Sequence, residues 1–304
     1  MYAIEAAFPQ RHELGEGPHW DAISRRLIYA DINAGAVYEL DPVTGDVATL
    51  EVNVPLSFAI PVEGSDALVC GNGNDVIAVD RAGRELGRLP VEPGKIGNRL
   101  NEGKADPHGR VWFGSMSVTR EPGQAALYRL DDRGLRTMVS PITLGNGTDW
   151  DLERSRMYHI DSPTQRVDIY DYDVDSGEVD GRRHWVLIDE SAGMPDGLTV
   201  DAEDCVWVCL FQGGAIRRYD PDGALMTTIE LPVSCPTSAA FGGDRLSTLF
   251  VTTSRHKLEA EQRAKEPLAG AILTIDAGVT GRAGNPVAPG VAAQIPTSTR
   301  LDGA

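Results

Sequence analysis

The sequence predicts an all-β fold, a six-bladed β-propeller with a metal site at its centre. Three observations predict it. A short apolar run ending in Asp, with Gly two to four residues on, occurs six times. A second apolar run precedes each copy, and ahead of four copies stands a Gly followed three or four residues later by Asp. The marker aspartates lie 39 to 56 residues apart, a propeller-like period for a unit of several short strands. A β-sandwich would leave that regularity unexplained.

In chain order the marker runs are 37–41, 76–80, 127–131, 169–173, 216–220 and 272–276, followed by Gly45, Gly83, Gly134, Gly177, Gly223 and Gly278. The preceding apolar runs are 27–30, 67–70, 111–113, 157–160, 206–209 and 249–252. The Gly-to-Asp signature reads 17–21, 103–106, 147–151 and 197–201; the copies around Ser57 and Ser238 lack it. The first strand of each blade is expected to line the central channel. Residues 2–8 have no blade of their own and are expected to pair with the last blade after 272–275, closing the ring and removing a sheet edge. The whole chain, 1–304, is read as one propeller domain.

Composition agrees. Thirty-three glycines and 19 prolines in 304 residues favour many turns over long helices, and 41% hydrophobic content suffices for a large core. A net charge of −17 speaks against nucleic-acid or anionic-membrane partners. Of the four cysteines, Cys205 and Cys209 lie four apart in a strand-like run. That places them roughly 13 Å apart at about 3.3 Å per residue, too far to bridge. Buried free thiols in a reducing compartment are expected of all four, Cys70 and Cys235 included. The N-terminal stretch has no basic-then-apolar leader pattern and no apolar run reaches membrane length. The expectation is a soluble, cytoplasmic protein, a monomer or weak homo-oligomer.

The candidate site starts at residues 98–116. Arg99 and Asn101 stand two apart in an expected strand, so their side chains share a face. Residues 106–109 read as a turn and 111–113 as the second strand of a hairpin. A cation and an amide together suit a ligand rich in oxygen atoms. Next, Glu16, Asn146 and Asp196 each directly precede a repeat glycine, at about the same distance from their own blade's marker aspartate. Equivalent positions on a closed ring converge on its axis, and two carboxylates with an amide oxygen form a hard-oxygen site for a divalent cation. Other patterns fail. Asp171, Asp173 and Asp175 imitate a calcium loop, but Ser176 and Arg182 occupy its glycine and bidentate-Glu positions, so a solvated hairpin end is expected. No nucleophile elbow, zinc-protease motif, phosphate loop or dinucleotide fingerprint occurs. The charged segment 255–269 reads as a helix-prone insertion inside the last blade, either a solvated excursion or a rim element near the pocket.

Together the stretches 15–20, 98–116, 145–150 and 194–208 resemble, in order, the landmarks of the SMP-30/gluconolactonase/regucalcin family. The resemblance covers nearly the whole chain and implies a six-bladed propeller. It also implies one divalent cation (Ca, Zn, Mg, Mn or Fe) held by Glu16, Asn146 and Asp196, with Arg99 and Asn101 contacting substrate. It implies hydrolysis of sugar lactones to aldonic acids, with Asp196 as general base and a small-molecule lactone as partner. Glu102 stands where the family usually has Asp. Thr119 falls where a family carboxylate often contacts substrate hydroxyls, and a two-residue loop shift would bring Glu121 there instead. The alternatives are a phosphotriesterase of the same propeller type, which needs a more apolar pocket, a regucalcin-like calcium-binding protein without major catalytic role, and a non-catalytic scaffold.

Overall fold

Aspartate followed by glycine is turn chemistry, because a short carboxylate caps nearby backbone N–H groups and glycine tolerates positive φ. The computed structural model, which describes residues 2–297, shows each marker aspartate in this role. Asp41 accepts from the Val43 N–H at 2.9 Å, Asp80 from Ala82 at 2.9 Å and Asp131 from Arg133 at 2.8 Å. Asp173, Asp220 and Asp276 accept from Ser176, Asp222 and Gly278 at 2.7, 3.0 and 3.1 Å. The glycines that follow have φ between 70° and 106°. The repeat is therefore a repeated hairpin turn.

The first five of these turns join the third and fourth strands of their blades, and the chain forms six four-stranded antiparallel sheets, the six blades. The innermost strands are Gly15–Asp21, Leu56–Pro61, Asn98–Ala105, Gly145–Asp151, Met194–Val200 and Pro236–Gly242. They contact one another in a ring, the first also against the sixth. The expected closure is present. Ile4–Ala6 pairs antiparallel with Leu273–Asp276, Glu5 opposite Thr274, so the sixth blade takes its outermost strand from the N-terminus. Phe8, just beyond, is buried against His12 and Tyr29.

Because sheets pack face to face, the core is divided into layers between blades. Phe58, Ile60, Leu100 and Phe113 fill the layer between the second and third, and Trp207, Phe241 and Leu249 that between the fifth and sixth. The four cysteines are buried and free, as expected. Among the described residues no helix is long and apolar enough to cross a membrane.

The C-terminal segment carries no repeat signal and was not foreseen as structured. It crosses the far mouth of the channel. Gly281 bonds Leu246 O, Gly284 bonds Trp20 O, Val287 bonds Pro61 O and Ala288 bonds Gly109 O. Gly284 lies so close beneath the His19 ring that a Cβ there would stand 2.4 Å from it. Of the two readings of the 255–269 segment, the structure shows the rim element. Its short helix, Ala260–Lys265, buries no residue, but Arg255 and Arg263 both bind Glu13 and Glu266 accepts from Ser234, which fastens it to the rim. The 171–175 aspartates do lie at a solvated hairpin end, with Asp171 held by Arg183.

Candidate functional site

Strict alternation would let an inner strand present every second side chain to the channel. All six inner strands break that rule at one level. Pairing with the neighbouring strand slips between Glu16 and His19, Leu56 and Ala59, Leu100 and Gly103, Gly145 and Thr148, Pro195 and Leu198, and Pro236 and Ala239. Such bulges re-aim side chains. Asn101, Glu102, Asn146, Asp196 and Ser238 lie within the slips and Glu16 at the edge of one. The consequence is clearest at Asn101 and Glu102, neighbours in sequence that both reach other blades. Asn101 Nδ2 donates to Asn146 Oδ1 at 2.6 Å and to Gly145 O at 3.0 Å. Glu102 Oε1 accepts from Ser238 Oγ at 2.7 Å.

The backbone approaches closely here. A Cβ at Gly197 would stand 2.1 Å from Ser238 Oγ, and one at Gly147 would stand 2.6 Å from the Leu198 nitrogen. Only glycine fits beside Asn146 and Asp196. Arg99 and Asn101 share a face as expected, with Arg99 Nη1 donating to Asn101 Oδ1 at 2.8 Å. The Asn146 amide is fixed from both ends. Its nitrogen donates to Ser162 Oγ at 2.7 Å, and Ser162 in turn donates to Pro195 O at 2.7 Å. Ser162 and Ser238 thus orient the candidate residues. Ser162 follows a blade strand without any motif, and Ser238 could be noticed only as a repeat copy that lacks its signature.

Glu16, Asn146 and Asp196 are all buried. Burial, and after it the charge of Glu102, pushes the Glu16 carboxyl up to about 8. Burial and the charges of Glu16 and Glu102 push Asp196 well above the usual carboxylate range, against the pull of Arg99 and Arg120. Burial raises Glu102 and lowers Arg99 to about 10. The Asp196 carboxylate accepts no hydrogen bond among the described residues, and Glu102 Oε2 is buried without a partner. Buried carboxylates that repel one another and lack donors are costly unless a cation joins them. The donor set, two carboxylates and an amide oxygen whose orientation is fixed, fits a hard divalent cation. Among the described residues no group of three His, Cys, Asp or Glu is arranged to hold a metal; this set has only two such members beside the amide.

The Thr119 hydroxyl is shared with Ser117 Oγ at 3.2 Å, and Glu121 gives its backbone N–H to the same oxygen at 3.0 Å. Of this loop, Arg120 is the residue whose charge acts on Asp196. On the far side of Glu102 lies a partly open cavity of about 150 Å³, lined by His19, Lys104, Asp149 and Thr199 and bordered by 282–285. Lys104 pairs there with Asp149 at 2.9 Å. This cavity borders the candidate site from behind and includes neither Arg99 nor Asp196.

The family profile described as SMP-30/Gluconolactonase/LRE-like region matches residues 14–255. Regucalcin of Homo sapiens is 34% identical over 280 residues, which span 90% of this chain and 93% of that protein. A luciferin-regenerating enzyme structure superposes with a TM-score of 0.88 at 31% identity, covering 95% of this chain and 100% of the other. A regucalcin from Agrobacterium tumefaciens, described as a calcium-binding protein, gives 0.89 at 24% identity, covering 94% and 97%, and speaks to fold alone. The profile match runs through the inner strands that carry Glu16, Arg99, Asn101, Asn146 and Asp196, and this chain belongs to the SMP-30/gluconolactonase/LRE-like family.

Proposed function

We propose that this protein is a divalent-metal-dependent hydrolase that opens sugar lactones to aldonic acids. Membership of the family supports a lactonase-like or calcium-binding role. The observation that carries the finer reading is the Asp196 carboxylate. It is buried beside Glu16 and Asn146, takes no hydrogen bond from the protein, and lies next to the Arg99–Asn101 pair.

Glu16, Asn146 and Asp196 would hold the cation, which when bound supplies Lewis-acid polarisation of the lactone carbonyl. Asp196 accepts the proton of the attacking water. The water oxygen adds to the carbonyl carbon, the ring C–O bond breaks, and the ring oxygen leaves as a hydroxyl after taking up a proton. The product acid ionises and releases one proton per turnover. Arg99 donates charge-assisted hydrogen bonds to substrate oxygens. Asn101, anchored on Gly145 and Asn146, fixes the orientation of that pair. A polar lining of carboxylates, amides and guanidinium suits a polyhydroxy ring better than an apolar phosphotriester. The four buried free thiols favour a reducing, cytoplasmic location.

The second reading, calcium binding without turnover, is favoured by the same unbonded carboxylate. One experiment separates them: strip the protein with a chelator, restore single divalent metals, and follow acid release from a panel of aldonolactones. Reversible, metal-dependent hydrolysis is expected. Full activity of metal-free protein would remove the cation from the mechanism, and tight metal binding with no turnover would favour the second reading.

A further inference from the structure

The cavity behind Glu102 is a polar chamber with its own construction. The inner strands of five blades wall it, all but the second, and residues 282–285 border it. Backbone and side-chain bonds hold that border in place. Gly284 N–H bonds Trp20 O at 3.2 Å, and Asn285 Nδ2 donates to Ala105 O at 3.2 Å. Gly284 also lies against the His19 ring, since a Cβ there would stand 2.4 Å from it. Glu102 and His19 are each more than nine-tenths buried. Both line the cavity, and Glu102 Oε2 and His19 Nε2 have no partner among the described residues.

The other polar groups of the lining complete the pattern. Lys104 spends two of its N–H donors, on Asp149 Oδ2 at 2.9 Å and on Leu198 O at 3.1 Å, and an ammonium has three. Thr199 gives its hydroxyl proton to Asp149 at 3.3 Å, which leaves its oxygen able to accept. The cavity thus presents a carboxylate oxygen that needs a donor and an ammonium that can still give one. Burial holds His19 neutral, lowered to about 4, so its ring has one donor and one acceptor nitrogen. A cation here would meet Lys104, and an anion would meet Glu102 and Asp149. A hydroxyl both donates and accepts, so hydroxyls on adjacent carbons answer these groups without adding charge. A volume of about 150 Å³ admits a molecule of about six heavy atoms, the size of a triol on three carbons. We propose that this far-side cavity is a second ligand site, which takes a small neutral polyol between Glu102, His19 and Lys104. The site is separate from the one that Arg99 and Asp196 form, and it stands whether or not the protein opens lactones.

The test titrates glycerol into the full chain. Binding is read from the fluorescence of Trp20 and Trp150, which line the cavity, and from saturation-transfer NMR of the glycerol itself. Saturable binding is expected, with a Kd on the order of 1–10 mM for so small a ligand. Ethylene glycol, one hydroxyl shorter, should bind at least threefold more weakly, and sucrose, too large to enter, not at all. Lys104→Met and His19→Leu should each weaken glycerol at least tenfold, with melting temperatures showing that the variants fold. Arg99→Gln, on the other side of Glu102, should leave glycerol binding unchanged. A response that never saturates is the general stabilisation given by excluded osmolytes, and it overturns the proposal. Sucrose binding as well as glycerol overturns it too, as does glycerol binding that Arg99→Gln abolishes, which would place the ligand at the other site. The comparison of glycerol, ethylene glycol and sucrose on wild type decides the matter even if a variant fails to fold.

Discussion

Gly197→Ala tests how tightly the ring closes on the candidate site. The added methyl would stand 2.1 Å from Ser238 Oγ, 2.4 Å from its Cβ and 2.6 Å from its Cα. The last is backbone and cannot rotate away, so the inner strands of the fifth and sixth blades must part by about 1 Å. Overpacking of this kind costs about 1–3 kcal/mol. Parting them also breaks the Ser238–Glu102 hydrogen bond, which serves the single oxygen of that buried carboxylate that has a partner. Losing a bond to a charged group costs about 1.5–3 kcal/mol more. The sum is about 2.5–6 kcal/mol. At ~2.1 cal/mol/K of unfolding entropy per residue over 304 residues, that lowers Tm by about 4–9 °C. Activity should fall further than stability, since a shift of about 1 Å at a reacting group can cost on the order of 10²-fold. Calorimetry and lactone turnover are measured beside Gly290→Ala, where a Cβ meets nothing within 4 Å and Tm should move by no more than about 2 °C. If Gly197→Ala melts with wild type, the close approach does not hold the site together.

Asp196→Asn keeps an oxygen ligand but removes the base, so turnover should drop by about 10²–10⁴ while the metal still binds by calorimetric titration; near-normal turnover would exclude Asp196 as the base. Removing residues 2–8 takes away the outermost strand of the sixth blade and the buried Phe8. Tm should fall by about 5 °C or more, since a buried Phe alone is worth about 3–5 kcal/mol, and an unchanged melt would make the segment a mere tail. His19 and His159 are held neutral, each lowered from 6.5 to about 4 chiefly by burial. Below pH 6.5 the unfolded chain takes up protons that the folded chain refuses. Their contribution is therefore intact above that pH and lost as pH falls toward 4, by about 3 kcal/mol each. Denaturant midpoints between pH 7 and 4.5 should fall less steeply for His19→Gln/His159→Gln than for wild type, and equal slopes would refute the assignment.

The propeller and its six blades were legible in the sequence because they depend on local chemistry repeated six times, and the closing strand because residues 2–8 have no blade of their own. Asp41 and its five equivalents cap their own turns, the glycines after them take positive φ, and the apolar runs alternate within a few residues. The equivalent placing of Glu16, Asn146 and Asp196, each at or within the register slip of its own inner strand, follows from the same repeat. What tertiary structure alone decided is what crosses between blades. The slips that let Asn101 and Glu102 both reach other blades are set by pairing with the neighbouring strand, and no residue pattern announces them. Ser162 and Ser238 have a role only because Pro195, Asn146 and Glu102 arrive from elsewhere in the chain. At the third-blade loop, Thr119 and Glu121 drew attention by type. The structure ties both to Ser117, Thr119 through its hydroxyl and Glu121 through its backbone N–H, contacts that no residue pattern announces. The strap over the far mouth was illegible because its hydrogen bonds go to Leu246, Trp20, Pro61 and Gly109, in four different blades. A backbone that pairs with whatever the ring presents needs no periodicity of its own.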